Sequence, residues 1–294
     1  MFGILLKLRR QATTWIKDRF PFLIRQASHH EPLFEVMLLA ALQEPMTVLE
    51  LGSSDGHETL AMLRTGGAGL RLHLLEPVPA NRRRVQRRIR WQYPRDDRIR
   101  FHSLAVSDRD AEGAFYLSRD HDNLHSARPS EVATEKVPIQ FVRLDTFCQR
   151  EHITPPLLIK MDVEGHEVEI LAGGMEFFTT HDNIRILLEV HPERYTPDHS
   201  LEKQLQKLFA AGFYPRLVES AGVPVPERFR ELGLQPVQVA KNRGLYAGLT
   251  PGQVLEFACR EIINPIGDTG TVTRKIVRSL LLEKPVPAGE KPSE

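Results

Sequence analysis

The sequence predicts one large α/β domain, a Rossmann-like parallel sheet with helices on both faces, preceded by an N-terminal helical extension. Short apolar runs alternate with helical patterns along the chain, which is typical of βαβ units. Turns that contain glycine and acidic residues follow two of these runs, at residues 52–56 and 162–165. An apolar fraction of 41% and a charged fraction of 26% over 294 residues indicate a globular chain that can bury a sizeable core.

Each element is predicted from its periodicity. Apolar runs bounded by turn residues predict strands at residues 47–51, 70–75, 99–106, 157–161, 184–190 and 212–218. Apolar residues three or four positions apart predict helices at residues 33–42, 59–64, 80–90, 167–171 and 201–211. Residues 113–117 and 137–144 predict a β insertion around a polar loop at 118–135. Above the carboxyl edge of a parallel sheet, such a loop can cover a substrate.

Composition changes along the chain predict its organisation. We expect an N-terminal helical extension over residues 1–45, a main domain over 46–250, a C-terminal helical segment over 251–283 and a disordered tail over 284–294. In residues 1–25 basic side chains interleave with apolar ones. This pattern is typical either of an amphipathic helix on an anionic membrane or of a helix packed on the domain.

Charge and cysteine content exclude several functions. The chain has 39 basic and 38 acidic residues, a net charge of +1, so no overall field attracts nucleic acid. Cys148 and Cys259 are distant in sequence and have no neighbouring ligand cluster, which argues against a disulfide framework or a structural zinc site. The first apolar run, residues 2–8, is too short for a signal peptide or a membrane span. A reducing cytoplasm is therefore the expected compartment.

The first predicted strand runs into a turn with the spacing acidic-x-Gly-x-x-x-Gly. Glycine at these positions lets the backbone turn sharply and approach a ligand. A dinucleotide fingerprint would need glycine where Ser54 stands, and no Gly-Lys-Ser/Thr follows for a phosphate-binding loop. We expect the cofactor to contact residues in and just after this turn, namely Glu50, Gly52, Ser53, Ser54, Gly56 and Thr59.

The second predicted strand ends in an acid, Glu76, about two dozen residues beyond the first turn. In nucleotide-binding α/β sheets a carboxylate at this place accepts hydrogen bonds from both ribose hydroxyls. A glycine turn and a ribose acid without a pyrophosphate loop favour an adenosine that carries no phosphate. S-adenosylmethionine is the expected cofactor.

The third motif, LLIKMDVEGHEVEILAGG at residues 157–174, contains an apolar strand, an acidic turn and a helix that ends in glycine. Here the chain resembles the FkbM-type S-adenosylmethionine-dependent methyltransferases, whose hallmark is a Lys-Ile-Asp-Val-Glu-Gly-x-Glu stretch. The resemblance continues in EPVPAN at 76–81, AVSD at 105–108, LDTF at 144–147 and LLEVHP at 187–192. It covers roughly residues 47–192 and implies a class I methyltransferase sheet. It departs where Glu50 replaces the usual aspartate and where DNLHS at 122–126 replaces a Ser-Ser-Leu element.

The resemblance and the strand ends together give the candidate site. Asp162 is expected to position the cofactor or the acceptor, with His166 or Glu164 as a possible base and His125 of the polar loop as a further candidate. The alternative is that Glu164 and Glu167 only cap the helix that follows. The candidate catalytic residues are Asp162, His166 and His191, and the candidate acceptor contacts are Asn123, His125, Glu164 and Glu189. Asp162, Glu189 and His191 could also hold Mg²⁺ or Mn²⁺, but no metal is assigned.

By resemblance, the expected activity is O-methylation of a hydroxyl on a sugar, a glycan or a secondary metabolite. The arginine-rich stretch 82–100 leaves open an RNA methyltransferase, and a non-catalytic nucleotide-binding or glycan-assembly scaffold is the other alternative. We expect a small-molecule or glycan acceptor and no nucleic acid. The sequence does not determine the oligomeric state.

Overall fold

The computed structural model describes residues 31–53, 56–118, 133–260, 264–266, 271–273 and 275–287. Its helices are α1 (Pro32–Ala41), α2 (His57–Thr65), α3 (Pro79–Gln92), α4 (Leu144–Arg150), α5 (Glu167–Gly173), α6 (Met175–Thr180), α7 (Leu201–Ala210), α8 (Glu227–Glu231) and α9 (Pro251–Leu255). The amphipathic segment 1–25, most of the predicted loop and most of the predicted tail lie outside the described residues. No helix among the described residues is long and apolar enough to cross a membrane.

The strands form one large sheet and two small ones. In chain order they are β1 (Met46–Leu51), β2 (Leu70–Leu75), β3 (Ile99–His102), β4 (Ala105–Ser107), β5 (Ala111–Ser118), β6 (Ala133–Arg143), β7 (Leu157–Met161), β8 (Ile184–Glu189), β9 (Tyr214–Ser220), β10 (Gln238–Ala240), β11 (Arg243–Tyr246), β12 (Asn264–Ile266), β13 (Thr271–Thr273) and β14 (Val277–Lys284). The large sheet has the order β10-β11-β9-β14-β8-β7-β1-β2-β3. Its β3-β2-β1-β7-β8 half is parallel, whereas β14 runs antiparallel to both β8 and β9. Because β1, β2, β7 and β8 are parallel, their carboxyl ends meet at one edge.

Helices cover both faces of this sheet, as predicted. Leucines on one face of the strands pack under α1, α2 and α3, where Phe34, Met37 and Leu60 are buried. The other face carries the larger core, under α4 to α9, where Phe147, Phe178 and Phe257 are buried. All five residues of β7 are buried, because a central parallel strand has both faces covered. The predicted class of fold is therefore confirmed by the sheet itself.

The predicted strand 99–106 is two strands in different sheets. Its first part, β3, pairs with β2 up to the pair Leu75 and His102, where β2 ends. Beyond this pair β3 has no neighbouring strand with which to continue its backbone hydrogen bonds, so the chain leaves the large sheet. It re-forms as β4, which pairs with β6, and β6 pairs with β5 as the predicted β insertion.

The predicted C-terminal helical segment 251–283 is only partly helical. Beyond α9 the chain makes a π-helical turn over Glu256–Arg260 and then returns as β14, in the middle of the large sheet. Leu280, Leu281 and Leu282 of β14 are all fully buried. A consecutive apolar run fits a central strand because both of its faces are covered. β14 therefore belongs to the large sheet, although it lies beyond the predicted boundary at residue 250.

We expect a chain that ends at residue 274 to lose cooperative unfolding, because β14 supplies the only link between β8 and β9 among the strands described. Circular dichroism during denaturant titration measures this. A chain that ends at residue 287 keeps all of β14 and is the matched control. A cooperative transition in the shorter chain would show that the sheet closes without its last strand.

Candidate active site

The turn after β1 lies directly against the turn after β7. Gly52 has a φ of +79°, and a side chain there would place its Cβ 2.4 Å from the carbonyl oxygen of Asp162. The buried ammonium of Lys160 donates a hydrogen bond to the carbonyl oxygen of Gly52 over 2.9 Å. Gly56, with a φ of +75°, begins α2. Gly52 therefore lets the predicted cofactor turn approach the acidic turn closely, whereas a side chain at Gly56 would meet Val85 of α3.

The other predicted cofactor residues have distinct places. Glu50 and Thr59 are fully buried, and the Thr59 hydroxyl donates a 2.6 Å hydrogen bond to Glu50, which ties β1 to α2. Ser53 is also fully buried, and its Oγ has no hydrogen-bond partner among the described residues. Buried polar atoms of this kind generally pair with something, so Ser53 is available to a ligand. Ser54 lies outside the described residues.

Glu76 stands beside this turn at the end of β2. Its carboxylate accepts the amide of Val78 over 2.9 Å, and it is also hydrogen-bonded by the Asn81 side chain and the Ser53 amide. Burial raises the pKa of Glu76 to about 7, although these hydrogen bonds and the charge of Lys160 act in the opposite direction. The predicted ribose acid is thus joined to the predicted cofactor turn through Ser53.

The acidic turn after β7 is closed by Glu167, the first residue of α5. Its Oε1 accepts the amides of Val163 and Gly165, each over 3.4 Å. Between them Glu164 has a positive φ of 54°, which is uncommon for a residue with a side chain. Residues held in such conformations cluster at functional sites.

Glu167 also fixes His191, which follows β8. The Nδ1 of His191 lies 2.9 Å from Oε1 of Glu167, so this nitrogen carries the proton. Nε2 then faces Asp162 at 3.7 Å and Glu189 at 3.9 Å. The hydroxyl of Tyr195 donates to Oε2 of Glu167 over 3.1 Å and accepts the amide of His191 over 3.0 Å. The imidazole is therefore held in one orientation, with Nε2 toward the cleft.

Burial and the neighbouring charges shift the pKa of both His191 and Glu189. Burial lowers the pKa of His191, but its hydrogen bond to Glu167 and the charges of Glu167, Glu189 and Asp162 outweigh burial and raise that pKa to about 9. Burial, together with the charge of Asp162, raises the pKa of Glu189 to about 7 against the nearby cations. Asp162, with 40% of its side chain exposed, is the open carboxylate of this group.

His166 does not join this group. Its Nε2 lies 3.1 Å from the Ser107 hydroxyl and its Nδ1 lies 3.5 Å from Glu169, while its ring contacts Phe141 of the β insertion. Burial lowers the pKa of His166, which keeps the ring neutral. Successive residues of a tight turn point in different directions, so a residue four positions from Asp162 faces the other side of α5. Asn123 and His125 lie outside the described residues.

Among the residues that the structure describes, two groups of side chains have the spacing of a metal site. Ligand atoms of Asp162, Glu164 and His191 lie within 4.8 Å of one another, and so do those of His73, His102 and Glu151. In the second group His73 Nδ1 and His102 Nε2 are 3.1 Å apart, a distance that a hydrogen bond between two rings explains equally well. A divalent cation is chemically compatible with the first group.

Sequence reasoning missed three residues of the site. The sequence indicates only a helix-capping role for Glu167 and no role for Lys160. Tyr195 lies beyond the residues that carry the resemblance. Glu167 and Lys160 stand inside the motif that carries the resemblance, so the motif could have drawn attention to them. The contacts of Tyr195 depend on how the chain folds after β8, so no pattern in the sequence indicates them.

The strand order β3-β2-β1-β7-β8-β14-β9, with β14 antiparallel, and the glycine turn beside a strand-end acid define a class I methyltransferase fold. The methyltransferase FkbM domain matches residues 50–214, more than half of the chain. The chain therefore belongs to the FkbM methyltransferase family.

Individual relatives are more distant. The chain is 28% identical over 158 residues to the 2-O-methyltransferase NoeI of Sinorhizobium fredii (strain NBRC 101917 / NGR234), which covers 48% of this chain and 63% of the relative. A crystal structure of a methyltransferase FkbM from Methylobacillus flagellatus KT is similar over 49% of this chain and 32% of that one, with 17% identity and a TM-score of 0.34. A precorrin-6y C5,15-methyltransferase from Geobacter metallireducens GS-15 covers 92% of this chain and 95% of its own, with 9% identity and a TM-score of 0.42.

We expect Gly52→Ala to lower the free energy of unfolding by more than Gly233→Ala, as measured by denaturant titration. Both glycines have a positive φ, so both variants incur a strain of about 1–2 kcal/mol. Gly233 has no atom within 4 Å of an added Cβ, whereas at Gly52 the Cβ meets backbone. Equal losses in the two variants would show that the contact between the two turns relaxes freely.

Proposed function

We propose that the protein transfers a methyl group from S-adenosylmethionine to a hydroxyl oxygen of a sugar, a glycan or a secondary metabolite. Support comes from one observation above all. A glycine turn, a ribose-type acid and the pair Asp162 and His191 meet at one edge of a methyltransferase sheet. Membership of the FkbM family and the similarity to a 2-O-methyltransferase point the same way.

The residues at the first two strand ends fit this cofactor. Beside the three donors that it already accepts, the Glu76 carboxylate can accept a ribose hydroxyl. The buried Ser53 hydroxyl offers a donor and an acceptor that no described residue uses. When bound, S-adenosylmethionine supplies the methyl group on a positively charged sulfur. The chain itself needs to bind the cofactor, orient the acceptor hydroxyl and accept its proton.

Asp162 would receive the proton of the acceptor hydroxyl. The partly exposed Asp162 carboxylate can accept a hydrogen bond from that hydroxyl, which orients its oxygen. His191 Nε2 lies 3.7 Å from the same carboxylate, and because the pKa of His191 is raised to about 9, its positive charge orients and balances the charge of Asp162 at neutral pH. Glu167 contributes by holding the imidazole in place and stabilising its charged form.

The arginine-rich helix α3 offers weaker support for an RNA substrate. Val85 and Ile89 bury one side of it against the sheet, whereas Trp91 is 67% exposed. An exposed aromatic ring beside arginines is compatible with single-stranded RNA. However, Asp162 and His191 stand at the ends of β7 and β8, away from this helix in the sheet order. We therefore keep a small-molecule or glycan acceptor as the proposal.

We also propose a reducing cytoplasm as the site of action. Both cysteines are free thiols, and burial raises the pKa of each to about 12, which leaves them unreactive.

Binding of S-adenosylhomocysteine should tighten about tenfold between pH 6 and pH 8, as measured by calorimetry. The reason is that a ribose hydroxyl donates to the ionised form of Glu76, and its pKa of about 7 means that the proton is lost over this range. Glu76→Gln should weaken binding by about tenfold or more and remove the pH dependence. Glu112→Gln, at an exposed position on β5, is the control. Affinity that is independent of both pH and Glu76 would contradict this assignment.

Asp162→Asn should lower turnover by about a hundredfold or more while S-adenosylhomocysteine still binds. The substitution keeps the shape of the side chain but removes the proton-accepting charge. Transfer of a labelled methyl group into a library of mono- and oligosaccharides measures turnover, with the exposed Asp198→Asn as control. Glu167→Gln should also lower turnover, because His191 loses its charged partner. Undiminished transfer by Asp162→Asn, or label that enters RNA in place of sugars, would refute the proposal.

A further inference from the structure

Two histidines and a glutamate meet at the β3 edge of the large sheet, away from the candidate active site. In the pairing of β2 with β3, Leu75 stands beside His102, so His73 and His102 are two positions apart and share one face of the sheet. Glu151 follows α4, which covers that face. One ligand atom from each of the three residues lies within 4.8 Å of the other two. Strands β2 and β1 separate this edge from β7 and β8, so the group is distinct from the one around Asp162.

The imidazoles of His73 and His102 meet through one nitrogen each. Nδ1 of His73 and Nε2 of His102 are 3.1 Å apart while the ring centroids are 5.1 Å apart, so the rings meet edge to edge. Nitrogens this close must share a proton or bind the same cation, because two bare lone pairs would repel each other. Two ligands of a tetrahedral zinc ion stand about 3.3 Å apart, since each lies about 2.0–2.1 Å from the metal. The spacing therefore fits a shared ion as well as it fits a hydrogen bond.

Glu151 distinguishes the two arrangements. Its amide donates to the carbonyl oxygen of Phe147 over 3.0 Å, so the two residues are one helical turn apart and lie on the same side of α4. The Phe147 ring packs edge-on against both imidazoles, with centroid distances of 6.0 Å to His73 and 5.0 Å to His102. A hydrogen bond between the imidazoles needs no third group, whereas a cation needs the carboxylate that stands there. Imidazole nitrogen and carboxylate oxygen are ligands that Zn²⁺ prefers.

Two arginines contact Glu151 from the solvent side. Nε of Arg150 lies 3.3 Å from one carboxylate oxygen and a terminal nitrogen of Arg100 lies 3.8 Å from the other, and these side chains are 43% and 67% exposed. Ion pairs this exposed contribute about 0–1 kcal/mol, so the carboxylate can exchange them for a metal. The arginine charges oppose a cation, but solvent screens them. Because Glu151 is itself partly exposed, an ion can enter and water can reach it.

We propose that His73, His102 and Glu151 form a zinc site, with water as the fourth ligand. Zinc held there would join β2, β3 and the end of α4. β3 is the last strand of the large sheet and pairs only with β2 among the strands described, so the ion would brace the edge of the sheet. Binding to the folded chain alone stabilises it by mass action. The three ligands are far apart in the sequence, so no spacing motif indicates them.

The test measures Zn²⁺ binding to the full chain, stripped of metal with a chelator, by calorimetry at neutral pH. His102→Asn removes one ligand and should weaken binding by about a hundredfold or more, since even the loss of a partner outside the ligand set costs about tenfold to a hundredfold. Glu151→Gln changes a partly exposed carboxylate, so it should leave the fold intact and weaken binding by about tenfold or more. His152→Asn is the matched control, because His152 is exposed beside Glu151 and asparagine accepts its positive φ of 53°.

One equivalent of Zn²⁺ bound by the wild type and by His152→Asn, weakened by both ligand variants, would support the site. Zn²⁺ should also raise the melting temperature of the wild type, and the chelator should reverse this rise. No saturable binding, or equal binding by the wild type, His102→Asn and Glu151→Gln, would show that the two imidazoles only share a hydrogen bond. Binding that is lost in His191→Asn and kept in His102→Asn would place the ion beside Asp162 and would equally overturn the proposal.

Discussion

One buried carboxylate, that of Glu167, joins the two strand ends on which the candidate chemistry depends. It receives two backbone amides from the turn after β7, the imidazole of His191 after β8 and the hydroxyl of Tyr195. Four donors converge on this carboxylate, three of them at Oε1 and one at Oε2. A buried charge is costly unless it is satisfied in this way, so the contacts stabilise one arrangement of the two segments.

The position of Asp162 depends on the same carboxylate through the backbone of the turn. Its backbone amide donates to the carbonyl oxygen of Leu51, and its carbonyl oxygen contacts Gly52. Lys160 of β7 lies two residues before Asp162, and its ammonium donates a hydrogen bond to the carbonyl oxygen of Gly52. These contacts hold the predicted cofactor turn against the acidic turn. Most of them come from the motif that spans Lys160 to Glu167.

The sequence was sufficient for the elements whose cause is local. Strands β1, β2, β7 and β8 are apolar runs bounded by turn residues, and their predicted positions are confirmed within a residue or two. The break between β3 and β4 was not predictable, because it arises where β2 ends and not from any breaker residue. β14 is not predicted for a related reason. An apolar run such as Leu280 to Leu282 is compatible with a buried helix and with a central strand alike. His166 and His191 are both candidate catalytic residues on sequence, and only their tertiary contacts separate them.

The two halves of the sheet edge are held together by different kinds of contact. On the half that carries the predicted cofactor turn, Gly52 lets backbone approach backbone closely, and the buried acid Glu76 stands beside that turn. On the other half the strands β8, β14 and β11 contribute charged side chains held in pairs. Backbone that cannot move can position a ligand of fixed shape. Glu189 contacts both His191 and Arg278, and His191 faces Asp162, so Glu189 joins the charged half of the edge to the acidic turn.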